Sequence, residues 1–270
     1  MSSRHTWGNG PMRALFLHGF TGGRHSFDHL APLLGDALTA TCVDLPGHGA
    51  APLPQSTDTA GFLDVIEQLQ SELTTPTVVI GYSQGARLAL ALAVRHPALV
   101  SRLVLESGNA GLRQRHARAL RRASDEVLAE RLISDGVARF VEGWEQLPLF
   151  KGLRTLPEAQ QRVLHERRIA HTAKGLAGAL RCMGQGVQPD DWHSLPSMHV
   201  PTLVLCGAAD AKYTRIARRL CAELPLAWRV TLPGVGHVPH LEAPEAYAAE
   251  LRSFLSNHWT HEPRAEELAA

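Results

Sequence analysis

Cysteine is scarce in this 270-residue chain, and the four present, Cys42, Cys182, Cys206 and Cys221, share no metal-type spacing. No cysteine-held metal centre is expected. Cys42 and Cys206 lie inside apolar runs and read as buried free thiols. Neither sign of charge is in excess: 27 Lys+Arg against 26 Asp+Glu leave a net +1, which removes a strong electrostatic case for nucleic acid or a membrane surface. No apolar stretch reaches the length of a membrane span. The segment Met1–Pro11 lacks a signal-peptide core and runs straight into a strand, so a cytoplasmic protein is expected. Internal repeats and low-complexity segments are missing too. What remains, 44% hydrophobic and 20% charged residues, is ordinary for a globular protein. The length suits one large α/β domain or such a domain with an inserted lid.

Five short apolar runs read as buried parallel strands: Ala14–Leu17, Ala40–Val43, Thr77–Ile80, Leu103–Leu105 and Thr202–Cys206. A sixth, Trp228–Leu232, follows a helical pattern around Ile216–Leu224. Helical segments such as Gly61–Leu73 and Ala86–Arg95 separate most of the others, which implies a mostly parallel sheet covered on both faces. The rhythm stops between Gly111 and Asp190. That stretch reads as helices only, over Gln114–Ser134, Val137–Gln146, Pro157–Ile169 and Lys174–Met183. Residues 1–110 and 191–270 are thus expected to form the core and 111–190 a helical lid. The lid carries 14 Lys+Arg against 9 Asp+Glu, a net +5, and the rest of the chain a net −4. The excess is either a set of solvated helix faces or a site for anions. The polar stretch Ser256–Ala270 reads as a frayed tail.

The segment Gly81-Tyr82-Ser83-Gln84-Gly85 follows a buried-type strand and opens a helix, the context of a nucleophile elbow. A serine hydroxyl is a poor nucleophile or base unless a histidine takes its proton and an acid orients that histidine. In this kind of fold the order is Ser, then Asp or Glu, then His. Asp210, in Gly207-Ala208-Ala209-Asp210, and His237, in Pro233-Gly234-Val235-Gly236-His237, each follow a strand and complete that order. His240 is the rival histidine, and Asp190 and Asp191 are rival acids in the segment returning from the lid. An oxyanion hole needs two backbone N–H groups aimed at one point. Gln84 supplies one, at the positive end of its helix. The loop His18-Gly19-Phe20-Thr21-Gly22-Gly23 supplies the other, with Phe20 as the donor. The loop Asp44-Leu45-Pro46-Gly47-His48-Gly49 reads as structural.

Arg87 lies four residues beyond Ser83 on an otherwise apolar helix, so both face one side. A buried arginine needs an acid or a cavity. Either it pairs with a carboxylate such as Glu106, or it clamps an anion beside the serine, a task suited to the guanidinium fork.

Several segments together resemble one family: Leu17-His18-Gly19-Phe20, Asp44-Leu45-Pro46-Gly47-His48-Gly49, Gly81 to Arg87, and Glu106-Ser107-Gly108-Asn109-Ala110-Gly111-Leu112. Phe140-Val141-Glu142-Gly143-Trp144, Pro148-Leu149-Phe150 and Cys206 to Tyr213 extend the likeness, which runs from about residue 13 to 255. It is similar to the MenH family, the α/β-hydrolase-fold 2-succinyl-6-hydroxy-2,4-cyclohexadiene-1-carboxylate synthases of menaquinone biosynthesis. The elbow and the His-Gly motif are shared by many α/β hydrolases. Glu-Ser-Gly-Asn, Arg87 and the tryptophan before Pro-Leu-Phe are more specific.

The resemblance implies a lyase that removes a ring proton and expels pyruvate from an enolpyruvyl ether, without metal or organic cofactor, in a monomer or homodimer. The implied substrate carries three carboxylates, which Arg87, Arg121 and Arg168 would bind, with Tyr82 and Trp144 lining the site. The pattern Arg-x-x-Ser-Asp selects Arg121 over its neighbour Arg122. Ala86 stands where the family usually has glycine. Two other readings share the residues. A serine hydrolase acting on esters or on carbon–carbon bonds would use the same triad and lid, and a small-molecule receptor would use the fold without turnover.

Overall fold

The central apolar runs become strands because they are buried on both faces, whereas the edge run Trp228–Leu232 is only partly covered. In the computed structural model, which describes residues 3–256, alternate residues of every central strand feed two different cores. Leu15 and Leu17 join one and Ala14 and Phe16 the other; further along, Leu103 and Leu105 oppose Val104, and Val204 and Cys206 oppose Leu203 and Leu205. This is the period-two signature of a sheet covered on both sides.

The elements in chain order are β1 (Arg4–Trp7), β2 (Met12–Leu17), α1 (Ala31–Leu34), β3 (Leu38–Val43), α2 (Thr59–Gln70), β4 (Thr77–Tyr82), α3 (Gln84–Arg95) and β5 (Val100–Glu106). Then come α4 (Arg115–Glu145), α5 (Glu158–Ile169), α6 (Ala173–Met183), β6 (Thr202–Gly207), α7 (Ala211–Glu223), β7 (Ala227–Leu232), α8 (Pro239–Glu242) and α9 (Pro244–Leu255). The sheet order is β1-β3-β2-β4-β5-β6-β7. All neighbours are parallel except β1, which runs antiparallel to β3 at the edge. Three consecutive polar residues, Arg4, His5 and Thr6, hide β1 from a search for apolar runs. Because the other strands run parallel, the loops after β2, β4, β5, β6 and β7 all open at one edge of the sheet.

Between β5 and β6 the chain is helical only. α4 bends at Gly136, whose φ of 79° and ψ of 166° leave the helical region, so the two expected helices meet there. A 3-10 stretch, Pro148–Thr155, precedes α5. The insertion has a small core of its own, in which Ala129, Leu132, Phe140 and Val141 of α4 pack on Leu176, Ala177 and Leu180 of α6. Phe20, from the loop after β2, packs against both this core and the sheet core. Cys42, Cys182 and Cys206 are buried and Cys221 half-buried, all with free thiols; burial pushes Cys42 and Cys182 up to about 12. Among the described residues no helix is long and apolar enough to cross a membrane. The tail expected after Ser256 lies outside the described residues.

Candidate active site

The turn after β4 is sharp. Ser83 has φ 51° and ψ −103°, a left-handed conformation uncommon for any residue but glycine. It is pinned from both sides: Ser83 N–H donates to the Glu106 carbonyl on β5 (2.8 Å), and the Ser83 carbonyl accepts from Arg87 N–H (3.2 Å). The following helix packs close to the sheet through Gly85. A Cβ there would lie 2.0 Å from the Leu17 carbonyl oxygen and 2.7 Å from that of His18.

Three strand-end loops then converge. His237 Nε2 lies 3.2 Å from Ser83 Oγ, and His237 Nδ1 lies 2.7 Å from Asp210 Oδ2. With the Nδ1 proton given to Asp210, Nε2 is the nitrogen able to accept from the serine hydroxyl. Asp210 Oδ1 accepts from Tyr213 N–H (3.1 Å) at the start of α7. Burial alone would push the Asp210 carboxyl up. The hydrogen bonds from His237 and Tyr213, with the nearby charge of Lys212, outweigh it, and the group lies below its ordinary value. Ser107, itself at φ 50°, donates through Oγ to the His237 carbonyl (3.0 Å) and fixes the histidine loop from β5. The backbone N–H groups of Phe20 and Gln84 have no protein acceptor among the described residues.

The rival residues are engaged elsewhere. His240 Nδ1 lies 2.7 Å from Glu106 in a fully buried pair. Asp191 is held by Arg95, 2.9 Å away, and Asp190 accepts from Trp192 N–H. Glu106 is therefore not the partner of Arg87.

A cavity of about 270 Å³ opens over Ser83. Phe20, Tyr82, Trp144, Leu149 and Phe150 form its apolar wall, and Arg87, Arg121 and Lys212 face it. Arg87 is only 6% exposed. Its guanidinium donates to the Met183 carbonyl (2.8 Å) and to Gln188 Oε1 (3.3 Å), and it makes no ion pair among the described residues. Burial pushes it down to about 10, still charged at neutral pH. Arg121 pairs with Asp125 (2.8 Å), and burial together with Arg121 holds Lys212 below the ordinary lysine value. Two buried polar atoms at the cavity, Gln84 Oε1 and Trp144 Nε1, have no protein partner among the described residues. Arg122 points to a different cavity, beside Thr57 and Glu126.

Arg168 is displaced from its expected place. It pairs with Glu145 (2.9 Å), lies over the Phe150 ring, and lines an adjoining cavity of about 220 Å³ that shares Phe20, Tyr82 and Phe150 with the first. Lys212 and Tyr213 stand at the cavity without having been singled out as binding residues. Their only sequence signal is the spacing of two and three residues beyond Asp210, in the first turn of α7.

Sheet order, elbow and the convergence of Ser83, His237 and Asp210 together define an α/β hydrolase, and residues 14–250 match the model of the alpha/beta hydrolase family. The chain is 34% identical over 250 residues to the 2-succinyl-6-hydroxy-2,4-cyclohexadiene-1-carboxylate synthase of Klebsiella pneumoniae, with 90% of this chain and 93% of the relative covered. Its fold superposes on the structure of MenH from S. aureus with a TM-score of 0.87 at 28% identity, covering 94% and 98% of the two chains. A thermophilic esterase from Thermogutta terrifontis gives 0.78 at 25% identity, covering 94% and 92%. The chain belongs to the alpha/beta hydrolase family and, within it, to the 2-succinyl-6-hydroxy-2,4-cyclohexadiene-1-carboxylate synthases.

Proposed function

We propose that the chain eliminates pyruvate from 2-succinyl-5-enolpyruvyl-6-hydroxy-3-cyclohexene-1-carboxylate to give 2-succinyl-6-hydroxy-2,4-cyclohexadiene-1-carboxylate, the product for which its curated relatives are named. One observation carries the reading at the site: a buried, unpaired Arg87 stands beside Ser83, with Arg121 and Lys212 facing the same cavity. A neutral ester needs no such cations, and a substrate with three carboxylates does.

In this reading residues 111–190 are the lid over a core made of 1–110 and 191–270. His237, oriented by Asp210, takes the Ser83 proton. The serine oxygen then removes the ring proton next to the succinyl ketone. The electron pair moves through the ring double bond and the bond to the enolpyruvyl oxygen breaks. The departing enolate gains one proton to become pyruvate, and protonated His237 gives up the one it took, directly or through water, so the balance closes. Charge developing on the ketone oxygen is met by the Phe20 and Gln84 N–H groups. Proton transfer and loss of an oxygen leaving group lie within the reach of these residues, and no acyl-enzyme forms. Tyr82 and Trp144 wall the ring. Arg168 is assigned to the substrate end nearest the adjoining cavity, which requires it to exchange Glu145 for a substrate carboxylate.

The esterase neighbour supports a second reading, hydrolysis by the same triad. Arg87→Ala separates the two. Loss of a charge-assisted hydrogen bond costs about 1.5–3 kcal/mol, so kcat/KM for pyruvate elimination should fall roughly 10- to 150-fold, while hydrolysis of a neutral aryl ester stays within about threefold. Equal losses on both substrates would remove Arg87 from substrate recognition.

A further inference from the structure

The loop that carries Phe20 is held in an unfavourable shape. Thr21, the next residue, has φ 66°, a left-handed value that a β-branched side chain resists. Within the loop, Gly22 N–H donates to the Gly19 carbonyl (3.0 Å) and closes a turn around Phe20 and Thr21. A β-branched residue at that φ is strained, and further contacts must hold the turn against relaxation that would carry the Phe20 peptide with it.

Two histidines brace the turn from either side. Thr21 N–H donates to His48 Nε2 (3.3 Å), and His48 Nδ1 lies 3.2 Å from the Pro46 carbonyl oxygen. On the other side, His171 Nε2 lies 3.3 Å from the Thr21 carbonyl oxygen, and Gly49 N–H donates to His171 Nδ1 (3.2 Å). A backbone N–H can only donate and a carbonyl can only accept, so both tautomers are fixed. His48 carries its proton on Nδ1 and His171 on Nε2. The two peptides flanking Thr21 are thus clamped, one by His48 from the core and one by His171 from the helical insertion. His171 sits between α5 and α6, and its ring packs edge-on against His48 at 5.2 Å. The bond from Gly49 requires an unprotonated Nδ1 and so a neutral ring. Burial holds the His171 imidazole below its ordinary value, against the opposing pulls of the Thr21 carbonyl and Asp44.

We propose that His171 is a positioning residue for the oxyanion hole: its Nε2–H, holding the Thr21 carbonyl, keeps the Phe20 N–H aimed at the developing oxyanion. The insertion therefore supplies part of the geometry of the core's catalytic loop as well as the walls of the cavity. The proposal rests on the assignment of Phe20 as a donor.

Three variants separate this role from a simple tether. An asparagine oxygen can overlay the histidine Nδ1 and a glutamine nitrogen can overlay Nε2. His171→Asn therefore keeps the bond to Gly49 and loses the one to Thr21, whereas His171→Gln does the reverse; His171→Ala loses both. Deleting an oxyanion donor outright costs about 10²–10³ in kcat, so misaiming one should cost about 10- to 100-fold. For pyruvate release, kcat should fall by that factor in His171→Ala and His171→Asn with KM within about threefold, and His171→Gln should recover most of the loss. Hydrogen exchange over residues 18–23 should quicken in the first two variants and stay near wild type in the third. A loss confined to KM, an asparagine variant better than the glutamine one, or unchanged kcat in His171→Ala would overturn the proposal. A wild type that releases no pyruvate would defeat the proposed reaction instead, and the exchange pattern would still decide the role of His171.

Discussion

Asp210 does two jobs with two oxygens, one on His237 Nδ1 and one on the first turn of α7. An amide of the same shape keeps the turn but can present a donor to His237, which disfavours the tautomer that accepts from Ser83. For Asp210→Asn the expected outcome is a loss of about 10³–10⁴ in kcat with KM and Tm little changed, read by steady-state kinetics beside thermal unfolding. A variant retaining a tenth of the activity would show that His237 is oriented by something else. The three residues Ser83, Asp210 and His237 were legible because each follows a strand in the required chain order. Lys212 and Tyr213 were not, since which side of α7 faces the cavity depends on how that helix packs. Nor was the place of Arg168: its partner Glu145 lies 23 residues away on another helix, a pairing that no local pattern announces.

At the scale of elements, the elbow depends on how closely α3 approaches β2. Gly85→Ala forces a methyl group against the Leu17 and His18 carbonyls, both of them backbone that cannot swing aside. Overpacking of this kind costs about 2–3 kcal/mol, a fall in Tm of roughly 5–10 °C for a chain of this size, and should displace Ser83 enough to abolish activity. Gly143 is the control. It lies in the second half of α4 with nothing within 4 Å of an added Cβ, so Gly143→Ala should raise stability by about 0.5–1 kcal/mol. Thermal unfolding of the pair tests both; a neutral Gly85→Ala would refute the close approach. The strands expected from apolar runs all formed; the central ones are buried on both faces and leave a strong local signal, while β7 is only partly covered. β1 has one buried residue in four and pairs antiparallel at the edge, so its existence depends on β3 rather than on its own composition.

For the whole molecule, buried histidines tie stability to pH. Burial lowers His18 to about 4 and His48 well below the ordinary imidazole value, and it also lowers His29 to about 4. The unfolded chain takes up these protons near pH 6.5 and the folded chain refuses them until far lower. Between about pH 6.5 and pH 4 the unfolded state therefore binds more protons, and stability rises with pH. The contribution is complete above pH 6.5 and is lost as pH falls through that window. His18 alone accounts for on the order of 3 kcal/mol. Tm should be several degrees lower at pH 5 than at pH 7.5, and a Tm that is flat or higher at pH 5 would contradict the buried neutral network. None of this was legible in a count of 15 histidines, since burial is a tertiary property. The concentration of positive charge between residues 111 and 190 was legible, and part of it does face the site through Arg121.

The most direct measurement is the rate of pyruvate release from enzymatically prepared 2-succinyl-5-enolpyruvyl-6-hydroxy-3-cyclohexene-1-carboxylate, with the wild type beside Ser83→Ala. Rapid release by the wild type, accompanied by the diene product, and a fall of at least about 10³-fold in the variant are expected. Release no faster than the spontaneous loss, from protein that still hydrolyses a simple aryl ester, would contradict the lyase and leave a serine hydrolase in its place.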